Sequence, residues 1–301
     1  MDFNTTFLYN QPLLLFARER FPANTNGGIC MKNFKKFLAV GMVALFVVGI
    51  LAACGKKEEP APAGSGAEGS GAVAPTAKHF VIATDKGFSP FEFEDEKGNI
   101  VGIDMDILAA VAEDQGFTYD LQYIGWDAAI AACQAGQADG MIAGASITDA
   151  RKESGWIFSD GYYDATQGMA VAADSTIASL DDLAGKTVVV KNGTMSDQYA
   201  TELSEQIGFT VTRVSTSPDM YQQVMGGQAD ACFDDTPILK YSIQAGELTM
   251  KFVEGTENEP ASYGFAVFNP EKQELVDLFN AGLANIKANG KYDEIIAKYL
   301  G

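Results

Sequence analysis

A cationic side chain near the start of a short helix is the most informative chemical feature of this sequence. Residues 139–143 are typical of a buried strand, and Thr148 is the predicted N-cap of a helix whose first turn carries Arg151. A helix N-terminus offers free backbone N–H groups and a positive dipole end, and a guanidinium adds a fork of donors. The segment therefore predicts a site for an anion such as a carboxylate.

Other candidate residues follow predicted strands in the same way. In open α/β sheets, ligands bind at the carboxyl ends of the strands, and four such ends in this sequence carry polar or aromatic residues. They lie within residues 84–93, within 124–127, within the segment 143–151 that carries Arg151, and in a pair of segments, 190–196 and 231–237. The candidates are Asp85, Phe88, Trp126, Gly144, Ser146, Arg151, Lys191, Thr194, Met195 and Asp235.

These motifs resemble the ligand residues of the extracellular solute-binding proteins of family 3, the polar amino-acid-binding proteins of ABC importers. The resemblance covers residues 78–301. It implies an α/β protein with the two-lobed, type II fold of periplasmic binding proteins. Each lobe would be a mostly parallel sheet flanked by helices, and two hinge crossovers, near residues 162–167 and 259–263, would join the lobes.

The resemblance also implies how an amino acid would be held by its main chain. Arg151 would clamp the carboxylate, and Ser146 would add a hydroxyl. Thr194 and the Met195 amide would complete this cage at a helix N-terminus. Asp235 would accept the α-ammonium, which has only donors to offer, and Gly144 would supply a carbonyl.

The side-chain pocket is less well determined by the sequence. Asp85 and Phe88 match side-chain contacts, and Trp126 would cover the aliphatic stem or would simply pack in the core. Asp85 and Lys191 offer an acceptor and a donor, which suits the carboxamide of glutamine.

Two positions depart from the glutamine-binding pattern and leave the substrate open among polar amino acids. Asp234 stands where such proteins carry histidine, and Met195 stands where they carry glycine. We expect Asp234 to be a solvated neighbour of the ligand residues.

The chain alternates short apolar runs with amphipathic stretches, and this predicts two similar lobes. Residues 136–139 and 227–230 share the sequence Gly-Gln-Ala-Asp in the same helix-to-strand context. The first lobe is predicted at 78–164 plus 261–301, and the second at 165–260. Within them, Asp104 and Ser217 are the expected N-caps of two helices.

The N-terminal segments indicate export. Residues 1–30 have no clear pattern and suggest an upstream mis-start, and residues 31–53 read as a lipoprotein signal peptide. Cys54 would carry the lipid, followed by a flexible tether up to residue 77. A transmembrane anchor is the alternative for the apolar run. In either case the domain would lie at the extracytoplasmic face of a bacterial membrane.

Composition narrows the possible functions. The formal net charge of −19 disfavours binding to nucleic acid or to anionic lipid surfaces. With a single histidine, His79, neither a zinc site nor a histidine-based nucleophile is expected, and we expect no cofactor. Cys133 and Cys232 are predicted to be buried and unpaired.

The sequence thus favours a monomeric, lipid-anchored receptor that delivers a polar L-amino acid, with glutamine first, to an ABC permease. One alternative is an enzyme on the same fold, similar to cyclohexadienyl dehydratases, which would be expected to lack the amino-acid cage or to add a carboxylic acid over the reacting ring. The other alternative is a sensory ligand-binding module.

Overall fold

The structure is a computed structural model that describes residues 77–301. The predictions for the signal peptide, for lipid attachment at Cys54 and for most of the tether lie outside the described residues. Within the described part of the chain, none of the helices combines the length and the apolar character that crossing a bilayer requires.

The described chain alternates strands and helices throughout. The strands are β1 (His79–Thr84), β2 (Phe93–Glu94), β3 (Ile100–Val101), β4 (Thr118–Tyr123), β5 (Gly140–Met141), β6 (Ile157–Phe158), β7 (Tyr163–Ala165), β8 (Gln167–Ala172), β9 (Thr187–Lys191), β10 (Thr210–Val214), β11 (Ala231–Asp235), β12 (Met250–Val253), β13 (Ala261–Tyr263) and β14 (Ala266–Val267). The α-helices are α1 (Ile103–Gln115), α2 (Trp126–Gln134), α3 (Asp149–Glu153), α4 (Met195–Ile207), α5 (Ser217–Met225), α6 (Thr236–Gln244), α7 (Gln273–Ala288) and α8 (Lys291–Leu300).

Two five-stranded sheets define two lobes. The first lobe is built on the sheet β4-β1-β5-β14-β6, and the second on the sheet β10-β9-β11-β8-β12. Three neighbouring strands in each sheet are parallel, and the next strand, β14 or β8, is antiparallel to them. The last strand, β6 or β12, pairs antiparallel with β14 or β8 and therefore runs in the direction of the first three. The predicted class, an α/β protein of two lobes, is therefore confirmed. The exact lobe boundaries stay a prediction.

The second-lobe sheet is buried on both faces. Val188 and Val190 point into one apolar cluster with Phe233, whereas Val189 points into another with Cys232. A strand covered on both sides needs apolar residues at every position, which explains the uninterrupted valine run in β9. Cys232 and Cys133 are both buried free thiols, as predicted.

The repeated Gly-Gln-Ala-Asp segment makes the same hydrogen bonds in both lobes. The Asp139 carboxylate accepts from Val81 N at 2.8 Å, and the Asp230 carboxylate accepts from Thr187 N at 2.8 Å. Each aspartate N–H donates in turn to the carbonyl of that same residue, at 2.7 and 2.8 Å. The repeat therefore ties the end of one helix to a strand of the same lobe, β1 in the first lobe and β9 in the second.

The lobes are joined by a two-stranded antiparallel sheet of β7 and β13, in which Tyr163 lies opposite Tyr263. The chain leaves the first-lobe sheet through β7 and returns to it through β13. These are the two predicted crossovers, and such a narrow connection is a structural basis for hinge closure.

Two expected helix caps are wrong. Gly102, and not Asp104, is the N-cap of α1, and the Asp104 carboxylate turns inward to accept from Gly144 N at 2.9 Å. Thr216, and not Ser217, caps α5 by accepting from Asp219 N. In both cases the residue that was expected to be the N-cap lies inside the helix, and its side chain is buried.

Candidate ligand site

All ten predicted ligand residues line one cavity between the lobes, together with Ala143 and Asp234. The first lobe contributes residues that follow β1, β4 and β5, and the second contributes residues at the ends of β9 and β11. The lobes approach so closely that the cavity measures about 20 Å³. A small molecule would therefore be enclosed by both lobes, while the ligand role of each residue stays a prediction.

Arg151 packs against two indole rings whose centroids lie 6.1 Å from each other. Thr148 is the N-cap of α3, as predicted, and its hydroxyl accepts from Arg151 N at 3.2 Å. The guanidinium carbon lies 5.1 Å from the ring centroid of Trp126 and 5.0 Å from that of Trp156. Burial lowers the pKa of Arg151 to about 10, partly offset by the charge of Asp235. The guanidinium remains a cation at neutral pH, and it is poorly solvated.

The Arg151 guanidinium binds only backbone carbonyls within the described part of the chain. It donates to Ser146 O at 2.8 Å and, across the lobes, to Gly193 O at 3.4 Å. No carboxylate among residues 77–301 forms an ion pair with it. A desolvated cation of this kind is complementary to a ligand anion.

Asp235 lies at the end of β11 in a buried hydrogen-bond network. Its carboxylate accepts from the Tyr263 hydroxyl and, at 2.6 Å, from Gln167 Nε2. Burial, and then the charge of Asp234, raise the pKa of Asp235 to about 7. Like Arg151, Asp235 has no charged partner in the described ion pairs, so a ligand cation would stabilise its ionised form.

Asp234 is not the solvated neighbour that the sequence suggested. Its side chain is buried, accepts from the Tyr221 hydroxyl at 2.5 Å and from Asp235 N at 2.9 Å, and faces the cavity. Burial raises its pKa as well. The reason is that all five residues of β11 are buried, so neither face of this strand meets solvent.

Asp85 and Lys191 form a buried ion pair across the lobes. Asp85 follows β1, Lys191 ends β9, and both side chains are less than 5% exposed. The Lys191 ammonium also lies 5.3 Å from the ring centroid of Phe88. This part of the cavity therefore presents one acceptor and one donor that already satisfy each other.

Gly144 is held in a left-handed conformation, with φ 54°. A Cβ at this position would lie 2.7 Å from Phe88 Cε1, so only glycine fits. Its N–H donates to Asp104, and Ser146, next but one, pairs as an isolated bridge with Tyr263 of the hinge. The loop is thus fixed by the first lobe and by the hinge.

Thr194 caps α4, and its hydroxyl accepts from Asp197 N and donates to Lys191 O at 2.8 Å. Met195 is the first residue of the helix. Its N–H has no partner inside the helix, because the first turn lacks preceding carbonyls, and this suits an anion at the cavity wall.

Several residues that shape the site were missed by sequence reasoning. Gln167 and Tyr263 lie at the predicted crossovers, and this position was a signal that could have found them. Trp156 and Tyr221 gave no such signal in the sequence, because only tertiary packing brings their side chains to the site. Asp104 was singled out for a different role.

Residues 80–301 match the sequence profile of the bacterial extracellular solute-binding proteins, family 3. The chain belongs to this family. The family consists of bacterial extracellular solute-binding proteins, and curated relatives are named for binding histidine, arginine or glutamine, the last as a protein of an ABC transporter.

Two curated relatives illustrate the range of names within the family. A probable histidine-binding protein of Neisseria gonorrhoeae is 29% identical over 269 residues, covering 89% of this chain and 96% of the relative. An ABC transporter glutamine-binding protein of Bacillus subtilis is 30% identical over 279 residues, covering 88% and 97%.

Solved structures share the two-lobed architecture. An ancestral arginine-binding protein bound to arginine is 33% identical with a TM-score of 0.68, covering 74% of this chain and 98% of that one. A substrate-binding domain of Lactococcus lactis in an open conformation is 40% identical with a TM-score of 0.53, covering 75% and 97%. An ancestral amino-acid-binding protein, a precursor of cyclohexadienyl dehydratase, is 30% identical with a TM-score of 0.67, covering 74% and 96%.

Proposed function

We propose that this family 3 protein captures a free polar L-amino acid and delivers it to an ABC permease. One observation carries the proposal. Arg151 and Asp235, a desolvated cation and a buried acid, line the same cavity, and neither has a charged partner in the described ion pairs. An α-amino acid has the matching carboxylate and ammonium, so it would compensate both poles at once.

The remaining main-chain contacts are proposed from the same geometry. The Ser146 hydroxyl and the Met195 N–H are available from the two lobes for the carboxylate, and the Gly144 carbonyl for the ammonium. The Thr194 hydroxyl would join them only by turning away from Lys191 O, to which it donates. Trp126 would cover the aliphatic stem while it stacks on Arg151.

We propose glutamine as the first candidate ligand. A carboxamide has one acceptor and one donor, and it would insert between Lys191 and Asp85 without leaving either charge unpaired. A glutamate side chain would repel Asp85, and an arginine side chain would repel Lys191. Relatives are named for histidine as well as for glutamine, so other polar amino acids are also candidate ligands.

The transport role is favoured over the dehydratase alternative, because such an enzyme would be expected to lack the amino-acid cage. Arg151 and Asp235, which we propose for the ligand carboxylate and ammonium, both line this cavity. Absence of turnover when a cyclohexadienyl acid is incubated with the protein would agree with this reading.

Titration calorimetry of the protein against the twenty amino acids tests the proposal. We expect one polar amino acid, glutamine first, to bind far more tightly than the others. If none of the twenty binds, the proposed function is wrong. If histidine or arginine binds best, the receptor role stands and the assignment to glutamine is wrong.

The place of action is proposed from the N-terminal segment. Lipidation of Cys54 would hold the protein at the extracytoplasmic face of the membrane, within reach of the permease. Cys54→Ala is expected to release the protein from the membrane fraction and to block signal processing. Normal processing and retention of the variant would contradict the lipid anchor.

A further inference from the structure

The first lobe contains a second group of buried acids, outside the ligand cavity. Glu92 and Asp104 are both fully buried. Three of their four carboxyl oxygens, Glu92 Oε1, Glu92 Oε2 and Asp104 Oδ1, have no hydrogen-bond donor. Buried acceptors without donors are costly, and two buried carboxylates side by side would also repel each other.

One proton resolves this arrangement. The two carboxyl groups lie within hydrogen-bonding reach of each other, so a proton on Glu92 can be donated to Asp104. Burial, followed by the charges of Asp104 and Asp85, raises the pKa of Glu92 well above its usual range, and Lys191 lowers it in part. Burial raises the pKa of Asp104 to about 7. Tyr162 and Tyr123 are the other titratable groups that interact with Glu92.

The second oxygen of Asp104 reaches the ligand loop. Asp104 Oδ2 accepts from Gly144 N at 2.9 Å and from the Tyr162 hydroxyl at 2.9 Å. Gly144 is the loop residue whose carbonyl we assign to the ligand ammonium, and Phe88 packs against its other side. Any change of charge on Asp104 is therefore transmitted through one hydrogen bond to the ligand loop.

We propose that Glu92 and Asp104 share one proton inside the first lobe, and that Asp104, steadied by this proton, positions Gly144 for the ligand. The two acids are positioning residues, and their link to ligand binding rests on the proposed function. All the residues involved belong to the first lobe or to the adjacent end of the hinge, so this arrangement of the two acids does not require the lobes to close. Loss of the shared proton at high pH would leave two adjacent buried anions and would displace the loop.

Glu92→Gln separates this proposal from simple packing. The amide has the shape of the acid and keeps a donor for Asp104, but it cannot lose that proton. Glu94→Gln is the matched control, since it makes the same replacement of an acid by its amide two residues away in an exposed position. Asp104→Leu is the second variant, because it removes the acceptor for Gly144 altogether.

The first readout needs no ligand. In a pH titration followed by NMR, the Gly144 amide resonance of the wild type and of Glu94→Gln should shift with the loss of the shared proton at high pH. In Glu92→Gln this alkaline shift should be absent. An unchanged alkaline titration of Gly144 in Glu92→Gln would overturn the shared proton, whether or not the protein binds amino acids.

The second readout is the ratio of wild-type affinity to Glu92→Gln affinity at each pH, because titration of the ligand ammonium cancels in this ratio. We expect the ratio to stay within about threefold of unity near pH 8 and to fall about tenfold per pH unit once the shared proton is lost. Asp104→Leu should bind weakly at every pH. A flat ratio, or full affinity in Asp104→Leu, would overturn the positioning role.

Discussion

At the residue scale, the site depends on two charges that the fold has separated from water and that form no ion pair with each other. Arg151 lies on two indoles, whereas Asp235 lies under the hydroxyl of Tyr263. The direct contacts of each are with neutral groups, and the charges of Arg151 and Asp235 act on each other only at longer range. A zwitterion is therefore favoured over an ion of either sign, since it compensates both residues together.

Arg151→Lys should abolish tight binding and leave the fold intact. An ammonium can neither bind a carboxylate in bidentate fashion nor pack as a plane against Trp126 and Trp156. We expect a loss of about 2 to 5 kcal/mol, or roughly 30-fold or more in affinity. Both tryptophans of the chain flank this residue, so intrinsic fluorescence reports the titration directly.

Arg213→Lys is the matched control for this experiment. Arg213 pairs with Asp197 on the second lobe and is partly exposed, so the same substitution there should change ligand affinity little. Near-wild-type affinity in Arg151→Lys would remove Arg151 from the site.

Ligand affinity should fall in acid, and the sign follows from Asp235. The ammonium binds the carboxylate form, so the ligand lowers a pKa that stands at about 7 in its absence. Affinity is then complete above this pKa and is lost as the pH falls through it, by about tenfold per unit. Calorimetry in two buffers with different ionisation enthalpies should show about one proton released below pH 7.

Asp234→Asn and Asp235→Asn should affect this profile differently. Removing the charge of Asp234 lowers the pKa of Asp235, so the acid limb should move to lower pH while binding persists. Asp235→Asn should weaken binding at every pH and flatten the acid limb. Identical profiles for both variants would mean that another group controls the pH dependence.

At the element scale, helix N-termini carry the ligand loops. Both α3 and α4 begin beside the cavity, and each is capped by a threonine at 3.2 Å from the amide three residues on. The caps therefore set the direction of the first turn, and with it the position of Arg151 and of the Met195 N–H.

Thr148→Ala should reduce ligand affinity as well as stability. Losing an N-cap costs about 1 kcal/mol, and here the freed amide belongs to Arg151 itself. Thr216→Ala removes the same hydrogen bond from α5, away from the cavity, and should reduce stability alone. Calorimetric binding and thermal unfolding of the two variants, with Thr148→Ser as a conservative rescue, distinguish these effects. Equal affinity in Thr148→Ala and wild type would contradict the role of the cap.

Elements with strong local signals were predictable from the sequence. The sequence predicts a helix over Met195–Ile207 and a strand over Thr210–Val214, and α4 and β10 have these bounds, because a threonine, a glycine C-cap and an apolar run define them locally. The failures have a common cause. The inward turn of Asp104 and the burial of Asp234 depend on what packs above them, and periodicity cannot distinguish a solvated face from a covered one.

Long-range pairs were beyond local reasoning. Asp85 and Lys191 were expected near the same side chain of the ligand, but not as an ion pair between residues 106 positions apart. The resemblance predicted which residues would lie at the site, whereas the contacts between these residues became known only from the fold. The Glu92–Asp104 pair, which no motif indicated, shows the same limit.

At the scale of the whole molecule, the lobes are held together by few polar contacts. Asp85–Lys191 and Arg151–Gly193 cross the cavity, and the two-stranded hinge is the covalent route. The TM-score of 0.68 with an arginine-bound structure exceeds the 0.53 with an open one, although the open one is more similar in sequence. These values support a closed arrangement of the lobes.

Lys191→Met should shift the protein towards an open form. The variant leaves Asp85 buried without its partner, and an unpaired buried charge costs about 3 to 5 kcal/mol unless water reaches it. Opening the lobes supplies that water, so the radius of gyration should increase in small-angle scattering. Lys240→Met removes an exposed lysine whose ion pairs stay within the second lobe, and it should leave the radius unchanged.

A bound amino acid should draw the lobes together, because its two charged groups are gripped from both sides. Arg151 and Ser146 belong to the first lobe, and Thr194 and Asp235 to the second, so the closed form has contacts that the open form lacks. Only this difference in affinity can shift the equilibrium. Saturating ligand should therefore lower the radius of gyration of Lys191→Met towards that of the wild type, and it should do so less when Asp235→Asn is added to that variant. If the radius stays constant while calorimetry shows binding, the ligand does not bridge the lobes.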